Sequence, residues 1–175
     1  MTTTPTSPVV LAISGPKDSG KTHLIEGLIR VLRDRGVRVA VVKHDAHAHM
    51  KIDHEGKDSW RYAEAGAERV GLVGPLGRVT IDRSRPFLQD HDADAALGEL
   101  FQDVQLVLAE GFKDHALPRI KLIRTGEGPA TRVAFEATPV RDDEVNATAA
   151  EDLSLDRCVE FIHRLLLGEQ SLPRA

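Results

Sequence analysis

The stretch Val9–Thr22, with the sequence VVLAISGPKDSGKT, joins a short apolar run to the pattern Gly-x-x-x-x-Gly-Lys-Thr. Apolar residues then recur at steps of three and four between Leu24 and Leu32, which indicates an amphipathic helix ended by Gly36. A glycine-rich loop between a strand and a helix is typical of phosphate binding, because successive N–H groups converge on the anion and the helix dipole points at it. We therefore predict a nucleotide phosphate site. Its residues are Gly15, Pro16, Lys17, Asp18, Ser19, Gly20, Lys21 and Thr22, with His23 beside them.

Such a loop divides the chemistry of phosphate and metal binding among its side chains. We expect Lys21 to reach the β- and γ-phosphates and the Thr22 hydroxyl to hold Mg²⁺. A second, acidic metal ligand normally stands at the end of a neighbouring apolar strand. Glu110 directly follows the apolar residues 106–109 of the predicted strand 105–109, so we predict that it shares the Mg²⁺ with Thr22, and that Gly111 lets the backbone approach the γ-phosphate. The alternative is a strand-end glutamate that faces solvent.

Composition sets limits on the class of protein. The 175 residues are 41% hydrophobic and 29% charged, which suits one globular domain, and the net charge of −4 argues against nucleic acid or an anionic membrane as partner. The single cysteine, Cys158, falls in a helical pattern and is expected to be a buried bystander of a reducing cytoplasm. No apolar run is long enough to span a membrane. We predict a cytoplasmic protein with one nucleotide-binding domain over residues 9–167 and disordered tails at 1–8 and 168–175.

The rest of the chain alternates between strand and helix patterns. We predict a strand at 37–42 parallel to the first, a helix capped by Asp58-Ser59 and ended by Gly66, a hairpin of strands 68–73 and 77–82, a helix after the acidic stretch 90–94, strands at 105–109, 119–124 and 133–135, and a last helix at 152–167. Because of the hairpin we expect a mixed sheet. The fold class is α/β, a P-loop NTPase-like three-layer fold with a mostly parallel sheet flanked by helices.

A polar segment from Lys43 to Ser59 begins at the carboxyl end of the second predicted strand, where open α/β sheets bind their ligands. Its candidate binding residues are Lys43, His44, Asp45, His47, Gly56, Lys57, Asp58 and Ser59. The histidines also permit a transition-metal site. We favour contacts with phosphate or substrate, because no cysteine accompanies them and their spacing matches no closed set of four ligands.

Taken together, the motifs resemble those of the MobB family, molybdopterin-guanine dinucleotide biosynthesis protein B. They are Gly15-x-x-x-Ser19-Gly20-Lys21-Thr22, Lys43-His44-Asp45-x-His47, Asp53-x-x-Gly56-Lys57-Asp58-Ser59-x-Arg61, Ala65-Gly66-Ala67 and Glu110-Gly111-Phe112-Lys113. The resemblance implies a homodimeric GTP-binding adapter with weak GTPase activity and Mg²⁺. Its implied partner is the enzyme that attaches GMP to molybdopterin. It also places the segment from Lys43 to Arg61 near bound phosphate, with molybdopterin as a second ligand.

Two departures from the family pattern accompany the resemblance. Pro16-Lys17-Asp18 stand where small or aromatic residues are usual, and Gln105 replaces an aspartate at the start of its strand. Since Glu110 is retained, we expect metal binding to survive.

A different function, a metabolic kinase that transfers a γ-phosphoryl group to a small acceptor, is the alternative hypothesis. Asp45 or Asp58 would then serve as the base, but such an enzyme usually has an arginine-rich lid and the run Arg83-Ser84-Arg85-Pro86 is short. Hydrolysis itself is expected to be slow, because no glutamine is placed to orient water, and Arg61 is the candidate arginine finger. A nucleotide-gated interaction module without catalysis overlaps with the adapter hypothesis.

Overall fold

A computed structural model describes residues 7–44, 53–83, 93–140 and 151–168 of the chain. They divide into two compact units, the first containing residues 1–44 and 91–175 and the second residues 45–90. The elements in chain order are β1 Val9–Ser14, α1 Lys21–Asp34, β2 Val39–Lys43, α2 Asp58–Glu64, β3 Arg69–Gly74, β4 Gly77–Asp82, α3 Ala93–Leu100, β5 Leu106–Glu110, β6 Leu117–Ile123, β7 Arg132–Val140, β8 Glu151–Asp152 and α4 Leu155–Leu166.

The first unit is built on a six-stranded sheet with the order β2-β5-β1-β6-β7-β8. The strands β2, β5, β1 and β6 run parallel, whereas β7 and β8 are antiparallel to their neighbours. The predicted mostly parallel, mixed sheet is therefore confirmed. Parallel strands joined by helices bring their carboxyl ends to one edge of the sheet, which is the edge where the predicted phosphate loop, residues 15–22, follows β1.

Helices cover the sheet because both faces of its central strand are apolar. Leu11 and Ile13 of β1 pack in one core cluster with Leu28 of α1 and Phe161 of α4. The alternate residues of β1 are equally buried on the opposite face, and α3 contacts this strand. Alternating side chains of one strand thus enter two layers of packing, which gives the predicted three-layer arrangement.

The second unit contains α2 and the hairpin of β3 and β4, which pair antiparallel and form a separate two-stranded sheet. The hairpin was correctly predicted, but the expectation that it makes the main sheet mixed is wrong, since β7 and β8 supply those antiparallel strands. The hairpin buries only the cross-strand pair Val70 and Ile81. Only one face of these strands is apolar, whereas strands inside a large parallel sheet are apolar on both faces.

Boundaries differ from prediction at the end of the chain. Glu151 and Asp152 pair with β7 as the short strand β8, so the last helix begins at Leu155 and not at residue 152. Residues 1–6 and 169–175 of the predicted tails lie outside the described residues, and one domain over 9–167 stays a prediction. Within the part of the chain that the structure describes, no helix combines the length and the apolar character of a membrane span.

Candidate functional site

The loop between β1 and α1 has the backbone shape of an anion-binding loop. Gly15 and Gly20 have φ values of 144° and 92°, and Asp18, at 58°, is the one residue other than glycine with positive φ in the described ranges. Helix α1 begins at Lys21, directly after Gly20. Left-handed residues just before a helix turn successive N–H groups toward one point, so the backbone here suits a phosphate.

Gly15 is required by a close approach of two segments. A Cβ atom built on Gly15 would lie 2.9 Å from both the Cβ and the carbonyl oxygen of Leu122 in β6, and 3.1 Å from the Ser19 Oγ. The sequence motif identifies the glycine. The residue whose close approach requires a glycine here is Leu122 of β6, which lies 107 residues further along the chain.

The hydroxyl of Ser19 is a buried polar group that awaits a partner. Ser19 is 1% exposed, and its Oγ makes no hydrogen bond to any described residue. An unsatisfied buried hydroxyl costs roughly 1–3 kcal/mol, so such a group usually has a ligand or a function. A phosphate oxygen in the loop would accept this hydrogen bond. The buried Ser19 hydroxyl, unpaired among the described residues, is therefore an observation that favours an anion in the loop.

Lys21 folds back over its own loop. Its Nζ donates hydrogen bonds to the carbonyl oxygens of Gly15, at 3.1 Å, and Pro16, at 2.7 Å. The ammonium is therefore held above the loop by two carbonyl groups and can exchange them for phosphate oxygens. Its predicted contact with the β- and γ-phosphates stays a prediction.

Glu110 stands at the carboxyl edge of the sheet between the ends of two other strands. It lies opposite Ile13 of β1 and Lys43 of β2, and the Lys43 Nζ is 3.9 Å from its Oε1. The Glu110 side chain is only 15% exposed. Backbone hydrogen bonds tie the same edge together, from the His44 N–H to the Glu110 carbonyl at 2.9 Å and from Gly111 to Ile13 at 3.4 Å. The structure thus brings the predicted acidic residue beside the strand that leads into the phosphate loop.

The segment after Glu110 carries a cluster of three rings. Phe112 is 1% exposed, and its ring centroid lies 5.2 Å from that of His44 and 5.4 Å from that of His115. The two histidine rings are 5.9 Å apart in an edge-on arrangement. Gly111, with φ of 89°, packs against the His44 backbone, where a Cβ would approach its carbonyl oxygen to 3.3 Å. Predicted binding residue His44 is therefore an integral part of this edge, and His115 was not predicted.

A buried arginine that sequence reasoning missed holds this segment in place. Arg119 is 0% exposed, and its guanidinium donates to the carbonyl oxygens of His115, at 2.8 Å, and Lys113, at 3.3 Å. The Glu136 carboxylate of β7 lies 3.5 Å from the Arg119 Nε. Arginine is almost never fully buried without a charged partner. An arginine inside the apolar run LPRIKLI was the available signal.

The second unit contains the predicted binding residues Gly56, Lys57, Asp58 and Ser59. Gly56, with φ of 86°, precedes helix α2, whose N-cap position is Lys57. The predicted cap at Asp58-Ser59 is wrong in position, because the helix already begins at Asp58 and Lys57, at the N-cap, makes no capping hydrogen bond with its side chain. The Asp58 carboxylate still accepts a hydrogen bond from the Ser59 N–H in the first turn, at 3.1 Å. Ser59 is buried instead, beside Asp53.

Asp53 is stabilised as a carboxylate within the second unit. The Ser59 hydroxyl and the His54 N–H, which donates to the Asp53 Oδ1 at 2.7 Å, lower the pKa of Asp53 from its ordinary value of 3.8. Arg61 and Lys57 are exposed. Asp45 and His47 lie outside the described residues, and the expected approach of this segment to the phosphate loop stays a prediction.

Two further expectations concern metals and the cysteine. Among residues 7–44, 53–83, 93–140 and 151–168, no three or more His, Cys, Asp or Glu side chains come together as a metal-binding group. Cys158 is buried, as predicted, and burial raises its pKa to about 12. The thiolate is therefore scarce at neutral pH, and a nucleophilic role is disfavoured.

Known proteins share both the sequence and the fold. Residues 10–149 match the family model described as MobB, molybdopterin guanine dinucleotide synthesis protein B. The chain is 37% identical over 158 residues to the molybdopterin-guanine dinucleotide biosynthesis adapter protein of Haemophilus influenzae, covering 89% of this chain and 83% of that protein. It is 32% identical over 120 residues to the protein of the same name from Escherichia coli, covering 68% and 67%.

A solved structure described as molybdopterin-guanine biosynthesis protein B (mobB) has the same architecture, with a TM-score of 0.59 at 29% identity over 91% of this chain and 99% of that chain. The P-loop NTPase-like fold expected from the motifs is thereby confirmed. Since the family model spans most of the chain and the aligned relatives share its sequence at 30% identity or more, this chain belongs to the MobB family.

Proposed function

We propose that this protein is a GTP-binding adapter that assists the attachment of GMP to molybdopterin in the synthesis of molybdopterin guanine dinucleotide. The observation that carries the proposal is the position of Glu110, which lies beside the β1 strand that enters the phosphate loop. The curated relatives are named as adapter proteins of molybdopterin-guanine dinucleotide biosynthesis, which supports the same role here.

The phosphates would be held by the loop from Gly15 to Thr22. The buried Ser19 hydroxyl offers a hydrogen bond that no described residue accepts, and the Lys21 ammonium offers a charge now shared with two carbonyl groups. Each of these donors gains a stronger, charge-assisted hydrogen bond when it meets a phosphate oxygen. The other predicted binding residues, Pro16, Lys17, Asp18, Gly20 and His23, line or flank the same loop.

The metal would be Mg²⁺, held by the Thr22 hydroxyl and the Glu110 carboxylate together with phosphate oxygens. Mg²⁺ usually takes only one or two protein ligands and keeps several waters, so these two side chains form a sufficient set. When bound, it would neutralise charge between the phosphates. The Lys43 ammonium, with its Nζ 3.9 Å from the Glu110 Oε1, faces the same carboxylate.

Hydrolysis of GTP is proposed to be slow. Gln102 and Gln105 precede β5, so they lie toward the end of that strand opposite to Glu110 and the phosphate loop. Neither glutamine is placed to orient a water at the γ-phosphate. Arg61 remains the candidate arginine finger, and as a residue on an exposed helical turn it would act only when that helix meets the nucleotide.

Titration calorimetry with GTP·Mg²⁺ and ATP·Mg²⁺ tests the proposal. We expect saturable GTP binding that Lys21→Ala abolishes, because the Lys21 ammonium is the positive charge held directly over the loop by the Gly15 and Pro16 carbonyl groups. Arg33→Ala, on the distant end of α1 and paired with exposed Asp34, serves as the control and keeps wild-type affinity. Tighter binding of ATP than of GTP would contradict the assignment.

The role of Glu110 has its own test. We expect Glu110→Gln to keep much of the affinity for nucleotide while the dependence of binding on Mg²⁺ concentration becomes weaker, because the amide is a poorer magnesium ligand. The measurement is a series of calorimetric titrations from zero to millimolar Mg²⁺. An unchanged metal dependence would remove Glu110 from the metal site.

The adapter role predicts that nucleotide changes the interaction with an enzyme of the same pathway. Adding the wild-type protein to a mixture of GTP, molybdopterin and the GMP-transferring enzyme should raise the yield of molybdopterin guanine dinucleotide above that of the mixture without it. Adding the Lys21→Ala variant should leave the yield unchanged. Transfer of the γ-phosphate in stoichiometric amounts to a small metabolite would instead favour the metabolic kinase.

A homodimer is proposed on the exposed apolar face of the hairpin. The buried pair Val70 and Ile81 shares this face with the neighbouring pair Leu72 and Val79, which are 49% and 57% exposed. An apolar face left half uncovered suits a second copy of the chain. We expect Val79→Lys to lower the mass measured by sedimentation equilibrium to that of a monomer. Thr80→Lys, on the opposite face, is the control, and a dimer in both variants would exclude this face.

A further inference from the structure

The end of β6 runs beside the phosphate loop, packs against it and leads into Arg124. β6 is parallel to β1, with Ile13 opposite Ile120 and Ser14 opposite Lys121. Leu122, the next residue of β6, is the one whose Cβ and carbonyl oxygen would lie 2.9 Å from a Cβ atom built on Gly15. The chain therefore leaves β6 at Arg124 immediately next to the residues of the loop.

Arg124 makes a short hydrogen bond to the loop backbone. Its Nη2 donates to the carbonyl oxygen of Lys17 at 2.6 Å, across 107 residues of sequence. A second tie comes from the other end of the segment that follows β6, where the N–H of buried Ala130 donates to the Ser19 carbonyl at 3.0 Å. Two carbonyl groups of the loop are thus held from outside by the connection between β6 and β7.

Holding the Lys17 carbonyl fixes the orientation of the next N–H group. A trans peptide is planar, so its N–H points opposite to its C=O, and no cis peptide occurs among the described residues. The N–H of Asp18 must therefore point away from Arg124. Asp18 is also the residue with φ of 58°, a conformation that L-residues rarely keep without support. The guanidinium supplies that support as a charge-assisted hydrogen bond.

We propose that Arg124 is a positioning residue of the phosphate loop, which fixes the peptide between Lys17 and Asp18 so that the Asp18 N–H is presented to the phosphates. The inference rests on the proposed nucleotide site. Arg124 acts through the backbone and need not touch the nucleotide. The Nε of the same guanidinium is shielded from solvent and has no hydrogen-bond partner among the described residues, so the contact with Lys17 is the principal one visible for this side chain.

The test compares Arg124→Met, which keeps most of the apolar stem and removes the donors, with the wild type by titration of GDP·Mg²⁺ and GTP·Mg²⁺. We expect the affinity for both nucleotides to fall about tenfold or more, which corresponds to roughly 1.4 kcal/mol. The ratio of the two affinities stays constant, because the loop peptide serves phosphates common to both. Arg124→Lys, which can still reach a carbonyl group, restores part of the loss, and Arg33→Met is the matched control.

The amide signal of Asp18 in a ¹H–¹⁵N correlation spectrum distinguishes positioning of the Asp18 N–H by Arg124 from a purely structural role of this side chain. Wild-type protein should show a large shift of this signal on adding GDP·Mg²⁺, and Arg124→Met should lose most of it while the remaining spectrum stays folded. If Arg124→Met does not fold, Arg124→Leu, which also lacks donors, takes its place with the same expected loss. Wild-type binding together with variant affinity within twofold overturns the inference alone. Failure of the wild type to bind GTP overturns the proposed function and this inference with it.

Discussion

Replacing Gly15 by alanine should destabilise the first unit severely, for two reasons: a steric clash with Leu122 and an unfavourable backbone conformation. The new Cβ would stand 2.9 Å from two atoms of Leu122, one of them a backbone oxygen in a central strand that cannot move aside cheaply. Forced contacts in a packed core cost about 1–3 kcal/mol. The φ of 144° adds a conformational cost of about 1–3 kcal/mol for any L side chain. Together we expect a loss of about 2–6 kcal/mol in the free energy of unfolding.

Two other glycines of the same unit provide matched controls. Gly20 also has a positive φ, of 92°, but a Cβ there would meet nothing within 4 Å. Gly20→Ala therefore carries only the conformational cost, about 1–2 kcal/mol. Gly126 has neither a positive φ nor a close neighbour. Gly126→Ala should change stability by about 0.5 kcal/mol or less.

Equilibrium unfolding in urea, followed by far-UV circular dichroism, measures the three differences. The signal comes largely from α1 and α4, the two long helices of the first unit, with 14 and 12 residues. Gly126→Ala is expected to be the most stable of the three variants, Gly20→Ala less stable and Gly15→Ala the least stable. If Gly15→Ala unfolds at the same urea concentration as Gly20→Ala, the contact with Leu122 relaxes without cost and the reasoning from close approach is refuted.

Three further predictions follow from buried or titrating groups. Cys158, with its pKa raised to about 12, should resist iodoacetamide at pH 8 in the folded protein and react fully in guanidinium, and rapid labelling of folded protein would contradict its burial. Glu136→Gln removes the carboxylate that faces buried Arg119 and should cost about 3–5 kcal/mol in urea unfolding; a loss under about 1 kcal/mol would show that the carboxylate is dispensable. Asp53, whose pKa is lowered chiefly by the Ser59 hydroxyl, stabilises the fold above its unfolded pKa of 3.8, and this contribution disappears as pH falls through the lower folded value. The stability gap between wild type and Asp53→Asn should therefore be present at pH 7 and close in strong acid; a gap independent of pH would exclude the carboxylate.

Local patterns in the sequence determined the kinds of elements and the chemistry at their ends. The run Val9–Thr22 specifies a strand, a loop and a helix because hydrophobic period, glycine and helix start all lie within a few residues of one another. Glu110 was found in the same way, as the acidic residue directly after a buried strand. Since parallel strands end at one edge, the sequence was enough to expect these residues together, and the pairing of Ile13 with Glu110 agrees.

Tertiary structure alone decided which distant residues support that edge. The contacts of Gly15 with Leu122 and of Arg124 with Lys17 join segments 107 residues apart, and periodicity within a window carries no information about such pairs. The burial of Arg119 likewise depends on Glu136, which sits on a strand that the sequence predicted only in part. The separate sheet of the hairpin was also invisible, because strand patterns reveal pairing between neighbours in sequence but not membership of a larger sheet. The sequence specified the groups that face the ligand, whereas packing between remote strands chose the groups that hold them in position.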